Sequence, residues 1–350
     1  MIPNKILGMA AITRGSAKRL AVLFLVIAAF LLWAYLTMIR MPGKSYSGLL
    51  MPLTEAQAAL RDALRRDVEM LAGEIGPRGV VRPIELAASA DFIERSLQQA
   101  GYDVQRQCFD VHGVTCCNLV AQISGSSRAD QIIVIGGHYD SVLVDGIFCP
   151  GANDNASGVA ATLALARAFG GRQTARTLRF VFFVNEEPPY FQQSEMGSWV
   201  YAKRCRERDE NIVAMLSLET IGCYSDERGS QEYPFPLGLL YPSTGNFITF
   251  VGTVGSRKLV RESIGSFRRH AKFPSEGGAL PGSMPGVGWS DHWAFWQEGY
   301  PAVMVTDTAP YRYPHYHQAS DTPDKLDYDR MARVVEGLEQ VVVDLANPEQ

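Results

Sequence analysis

The sequence predicts an α/β protein: a three-layer α/β/α sandwich on a mostly parallel, mixed central sheet, preceded by one N-terminal transmembrane helix. Four segments, QIIVIGG (131–137), LRFVFFVN (178–185), IVAMLSL (212–218) and PAVMVT (301–306), are short, β-branched and almost continuously apolar. Strands covered on both faces read this way. Helical stretches fit between them at 157–169, 194–206 and 257–270, with a last one at 328–345, and this alternation argues a parallel sheet. Of the 350 residues, 47% are apolar and 20% charged, which supports a sizeable core and excludes disordered and fibrous classes. Thirty-three Lys and Arg against 37 Asp and Glu, without a long basic run, exclude nucleic acid as a partner.

In chain order, residues 1–19 read as a basic cytoplasmic tail. Leu20–Ile39 contains no charge, and twenty helical residues at ~1.5 Å each span the ~30 Å of one hydrocarbon core. A buried core helix would carry a polar stripe, and a cleaved signal would have a shorter apolar run ending in small residues. This segment instead runs into Tyr35, Met38 and Arg40, as an uncleaved anchor over 20–40 would. Lys5, Arg14, Lys18 and Arg19 precede it while only Arg40 and Lys44 follow closely. The basic side stays inside, and the rest faces the periplasm or the extracellular space.

Residues 41–53, with two prolines, two glycines and two serines, suit a stalk. The folded domain then covers 54–350. Thr54, with Gln57 three residues on, makes a capping box for a helix to Ile75. A second helix, 84–100, stops at Gly101. Strands follow at 104–111 and 118–123. The outward placement makes disulfides among Cys108, Cys116, Cys117, Cys149, Cys205 and Cys223 permissible. A hairpin around His112-Gly113 would set Cys108 opposite Cys116 or Cys117; free buried thiols remain the alternative.

The chemistry sits at the strand ends. The first central strand stops at His138-Tyr139-Asp140, the second at Glu186-Glu187, the third at Glu219 and the fourth at Asp307, before a loop holding His315 and His317. Ligands bind beyond the carboxyl ends of such strands, so these groups converge on one crevice. Asp154 joins them from PGANDNASG, ahead of a helix that Ser157 can cap. No Lys or Arg stands in these motifs, and unpaired buried carboxylates cost several kcal/mol each. A divalent cation supplies the missing charge. Mixed His/Asp/Glu ligation without thiolate suits Zn²⁺, with Mn²⁺ or Co²⁺ also possible ions. Glu186 is then a spare carboxylate beside Glu187, placed to take a proton from activated water.

In this order the motifs resemble the M28 zinc aminopeptidases: HYDS (138–141), GANDNASG (151–158), NEE (185–187), LET (218–220), SDHWAFW (290–296) and YHQASDTPDKLD (316–327). The resemblance covers about 60–345. It implies two zinc ions, one held by His138, Asp154 and Glu219 and one by Asp154, Glu187 and His317, with Asp154 bridging. It also implies Glu186 as general base, Asp140 orienting His138, Tyr316 stabilising the oxyanion, and a cis Asp154–Asn155 peptide. Glu219 departs from the Asp that many members carry, and its longer arm is expected to shift spacing or selectivity without abolishing binding.

The remaining histidines read as structural or peripheral: His112 and His270 at the surface, His292 either structural or lining the pocket, His315 on the rim. Trp293 and Trp296 read as core. The Asn155 sequon would put a glycan over the site and reads as unoccupied.

The favoured function is a membrane-anchored metallo-exopeptidase, an aminopeptidase acting on peptides. A carboxypeptidase or dipeptidase, in which Arg312 clamps a substrate carboxylate, stays open, with a surface role for Arg312 as its counterpart. A glutaminyl cyclase is a further candidate on this fold, as is a non-catalytic ectodomain, although the complete ligand set argues against the ectodomain. The sequence does not set the oligomeric state.

Overall fold

A computed structural model describes residues 14–348; Lys5 and the rest of the first thirteen residues lie outside it. Helices are α1 (Arg14–Ala34), α2 (Glu55–Val68), α3 (Pro83–Gln99), α4 (Gly158–Phe169), α5 (Gly197–Glu207), α6 (Arg257–His270), α7 (His292–Gln297) and α8 (Tyr328–Ala346). Strands are β1 (Val104–Val111), β2 (Val114–Ile123), β3 (Arg128–His138), a small hairpin β4 (Leu143–Val144) and β5 (Ile147–Phe148), β6 (Arg176–Phe183), β7 (Asn211–Glu219), β8 (Ile248–Thr253), β9 (Ser275–Leu280) and β10 (Ala302–Thr306). The main sheet runs β1-β2-β6-β3-β7-β10-β8-β9. Its centre, β6-β3-β7-β10, is wholly parallel. β2 and β8 run antiparallel to that centre on either side.

Alternate residues of one strand serve opposite layers. Ile133 and Ile135 of β3 join a core formed with α2, α3, α4, α6 and α8. Ile132 and Val134 face α5 and α7 through Tyr201, Ala202, Cys205 and Phe295. Both faces are therefore dry, which is why the central strands carry unbroken apolar runs.

The predicted α/β/α sandwich holds, and four local features add to it. The predicted cap at Ser157 is absent: its hydroxyl donates to Asn153 O and accepts from Ile221 N, while Asn155 Oδ1 takes the Gly158 N–H. β8 and β9, unpredicted, extend the sheet beyond β10. The His112-Gly113 hairpin pairs Cys108 with Cys117, and these two form the disulfide, leaving Cys116 buried and free. The expected stalk is docked against the domain. Met41 is buried in the main core, Arg268 donates to Pro42 O, Ser275 N–H donates to Ser45 Oγ, and Arg333 reaches Met51 O.

The Thr54–Gln57 capping box forms as predicted. Among the described residues, one helix is long and apolar enough to cross a bilayer: Gly15–Ile39, which is α1 with a final turn widened to i→i+5 bonding.

Candidate metal centre

The parallel centre delivers its polar strand ends to one place. His138 ends β3, Glu219 ends β7, and Glu186 and Glu187 follow β6, all buried. Asp154 comes from the irregular turn before α4, where its peptide bond to Asn155 is cis, as the resemblance implied. His317, in the loop after β10, has positive φ and stays half-buried.

Asp154 lies at the middle. Its Oδ1 is 3.3 Å from His138 Nε2, which is in turn 3.4 Å from Glu219 Oε2. Its Oδ2 is 3.2 Å from His317 Nε2, which is 3.4 Å from Glu187 Oε2. One carboxylate thus presents each oxygen to a separate His/carboxylate pair. Tetrahedral zinc with N and O ligands at ~2.0–2.1 Å sets neighbouring ligand atoms ~3.3–3.4 Å apart, and the four separations match that edge. Neither ring nitrogen of buried His138, nor Oε1 of Glu187, has a hydrogen-bond partner. Buried polar atoms are rarely left so, and the donor set fits zinc.

The electrostatics say the same. Burial disfavours charge on His138, yet Glu219 and Glu186 outweigh it and hold the imidazole well above its ordinary pKa. His317, also opposed by burial, is raised to about 10 by hydrogen bonds to Asp154 and Glu187. Burial, and then Asp154, push Glu187 up to about 8. Desolvation also drives Glu186 well above the carboxyl range, with Glu219, Glu187 and Asp291 adding to it against His138. Several carboxylates here compete for too little positive charge.

Surrounding residues fix the cluster. Asp140 accepts the backbone N–H groups of Glu186 and Glu187, so it clamps that turn as well as lying 3.4 Å from His138 Nδ1. Glu219 accepts from Ser290 Oγ at 2.7 Å, and Asn155 Nδ2 stands 3.4 Å from it, so the longer Glu arm still reaches His138. Asn155 is fully buried and bonded on both ends of its amide, which leaves no room for a glycan.

Several predicted peripheral roles are settled by contacts. His292 is buried and bonds Val287 O, with burial lowering it to about 4, as the structural reading expects. His315 is half-buried and held by Ser320. Arg312 is not a surface residue, and its Nη2 is buried without a hydrogen-bond partner. Its guanidinium lies over Phe247 and donates to Gln231 Oε1, Cys223 O and Phe247 O.

Sequence reasoning missed Arg78, which is fully buried close to the acidic cluster and donates to the carbonyls of Tyr139, Leu71, Gly76, Pro150 and Gly151. It neutralises at a distance without pairing any carboxylate, and nothing in GPRG signals it. Ser290, Asp291 and Asp321 stood inside the quoted motifs without an assigned role.

The cluster opens two ways. A small cavity is lined by Asp154, Glu186, Glu187, Glu219, Trp289 and His317, and Tyr316 closes one side, its ring stacked on His317 with centroids 3.9 Å apart. An apolar pocket adjoins it, sharing Glu219, Trp289 and Tyr316, with walls that include Phe247, Val251, Leu280, Val287 and Met304. No Lys or Arg lines either space among the described residues.

The model of Peptidase family M28 matches residues 118–342. The chain belongs to family M28. This M28 chain is 36% identical to the Escherichia coli (strain K12) protein YfbL over 282 residues, 79% of this chain and 86% of that protein. It is 27% identical to a probable zinc metalloprotease of Pyrenophora teres f. teres over 246 residues, 63% of this chain, and spans 50% of that protein's length. Among solved structures, the aminopeptidase of Aneurinibacillus sp. strain AM-1 shares the fold at TM-score 0.63 and 18% identity, covering 83% of this chain and 95% of its own. The glutaminyl cyclase of Fimbriiglobus ruber does so at 0.60 and 21%, covering 85% and 97%.

Proposed function

We propose that this M28 chain is a membrane-anchored zinc exopeptidase that removes residues from the free N-terminus of peptides, using two zinc ions. Family membership supports the zinc-dependent peptidase, and the division of Asp154 between two donor pairs is the observation that carries the ion count. In this reading His138, Asp154 and Glu219 hold one ion, and Asp154, Glu187 and His317 the other. When bound, zinc supplies Lewis acidity toward the scissile carbonyl and lowers the pKa of the attacking water.

The chain's own residues do the rest. Glu186 belongs to neither pair, and its raised proton affinity suits a general base that takes the water's proton and returns it to the leaving amine. Asp140 keeps Glu186 and Glu187 in place through their backbone N–H groups. Tyr316 lines both spaces, and in this reading its hydroxyl donates to the oxygen on which charge develops. The apolar pocket takes the side chain of the terminal residue.

The end attacked follows from charge. Apart from the zinc ions themselves, neither space has a Lys or Arg among the described residues to clamp a substrate C-terminal carboxylate, whereas the acidic lining suits a terminal amine. The apolar helix, with Lys18 and Arg19 on its amino side, supports an anchor with the domain outside.

Four versions of one peptide test this reading by mass spectrometry: free, N-acetylated, C-amidated and glutamine-headed. Loss of the first residue from the free and amidated forms, and strong loss of rate on acetylation, are expected. Efficient cleavage of the acetylated peptide, or dependence on the free carboxylate, would overturn it. Ammonia release from the glutamine peptide without chain cleavage would assign a cyclase instead.

A further inference from the structure

The apolar helix does not hang on a free tether. Its last turn, Tyr35–Ile39, packs against β9, and Ile39 enters a cluster with Tyr233, Tyr241, Leu237 and Leu280. Arg261 of α6 donates to Leu36 O and Arg40 O, and Met41 is already buried. The outer end of the helix is therefore fixed to the β9 edge of the domain, at the level of residues 35–41.

At that level the loop between Tyr233 and Tyr241 turns apolar side chains outward. Phe235 is 87% exposed and Leu239 80%, with Leu240 also exposed, while Leu237 between them turns in to line the substrate pocket. Both flanking tyrosines touch the cluster that Ile39 enters. On the other flank of the helix end, Arg40, Lys44, Arg257 and Lys258 are exposed, and Lys258 and Arg257 precede Arg261 by three and four residues on α6. Apolar tips beside cations at the end of an apolar span are what a headgroup region accepts.

We propose that the 234–241 loop seats on the surface of the bilayer crossed by the N-terminal helix, with Phe235, Leu239 and Leu240 among the lipid headgroups. The pocket beside Glu219 and Tyr316 then opens at that surface and receives chain ends presented there. This rests on the reading of Gly15–Ile39 as a membrane span.

The test uses the full chain in nanodiscs of phosphatidylcholine and phosphatidylglycerol, with and without spin-labelled lipid. A fluorescent maleimide is placed at Phe235→Cys or Leu239→Cys, and at Ile84→Cys as control. Ile84 is 80% exposed on α3, which packs on β1 and β2 at the opposite edge of the sheet. The unsubstituted chain, whose free cysteines are buried or half-buried, is the labelling blank. Because interfacial apolar side chains sit ~5–10 Å into the headgroup boundary, emission at 235 and 239 should fall about twofold or more with spin-labelled lipid, and that at 84 should not. Turnover of a soluble peptide, unchanged in both loop variants, reports an intact fold.

Chain that stays with the discs while labels at 235 and 239 remain as bright as at 84 would overturn the loop proposal alone. Energy transfer between labelled copies without quenching by lipid would overturn it in favour of a second copy on this face. Chain that washes from the discs without detergent would overturn the anchor itself, and the proposal with it.

Discussion

Two neighbouring sets of buried polar groups, a few residues apart in sequence, differ in how well they are satisfied. Behind the centre, Asp321 accepts the N–H groups of Asn153 and Asp154 and the hydroxyl of Tyr313. Asn153 bonds Asp307 and Gly222, and Asp307 also takes the Cys223 N–H. Except for one oxygen of Asp307, that layer is paired within the protein. In front, His138 and Glu187 keep unpaired atoms, and Asp154, Glu186, Glu187 and Glu219 crowd two imidazoles. The rear layer is scaffolding that sets the turn carrying Asp154, and the front layer is left open for a cation.

The sharpest way to break this contrast is within the front layer. Glu186→Gln should retain zinc and lower kcat by ~10²–10⁴, the range of general acid–base catalysis, because it removes a proton acceptor and no ligand. Steady-state kinetics with metal analysis check it. Near-normal turnover would reassign the base.

The two buried histidines sharpen the same point. Carboxylates crowd His138, whereas His292 bonds only a carbonyl and is lowered to about 4. Between that value and the ordinary ~6.5, the unfolded chain holds a proton that the native one does not, so this contribution to stability falls as pH drops from about 6.5 to 4, by up to ~3 kcal/mol. Thermal melts over that window should show the fall, and His292→Gln should flatten it.

The smallest effect belongs to the rear layer. Asp321→Asn turns one acceptor into a donor and leaves a buried N–H or hydroxyl without its partner, at a cost of ~1–3 kcal/mol. Urea midpoints should drop accordingly while Glu186 chemistry persists at saturating zinc.

What was legible in the sequence follows from how local the causes are. β3, β6, β7 and β10 are dry on both faces, so their residues alone betray them, and their polar ends then place His138, Glu186, Glu187 and Glu219. β9 reads SEGGAL, and no local rule makes that a strand. It exists because β8 pairs with it and because Gly277 leaves room for neighbours: a Cβ there would lie 2.9 Å from Ile264 Cδ1 and 3.2 Å from Met41 Cγ. The same contact holds Met41, the first residue of the expected stalk, from across the domain, although the Pro/Gly/Ser composition of that segment suits a linker. Ser157 failed as a cap because Asn155, two residues earlier, already satisfies the Gly158 N–H. The partner of Cys108 needed the hairpin register, fixed by Val111 facing Val114. Arg78 ties its own turn to the carbonyls of Tyr139, Pro150 and Gly151, distant in sequence, which no motif records.

The central claim is that Asp154 joins two metal sites, and zinc content measures it most directly. Full-length chain purified in detergent should carry about two zinc per chain, lose activity and melting temperature on chelation and regain both with zinc, while Asp154→Asn should fall below one. A folded, active chain without zinc, or Asp154→Asn with the zinc content of the parent, would contradict it.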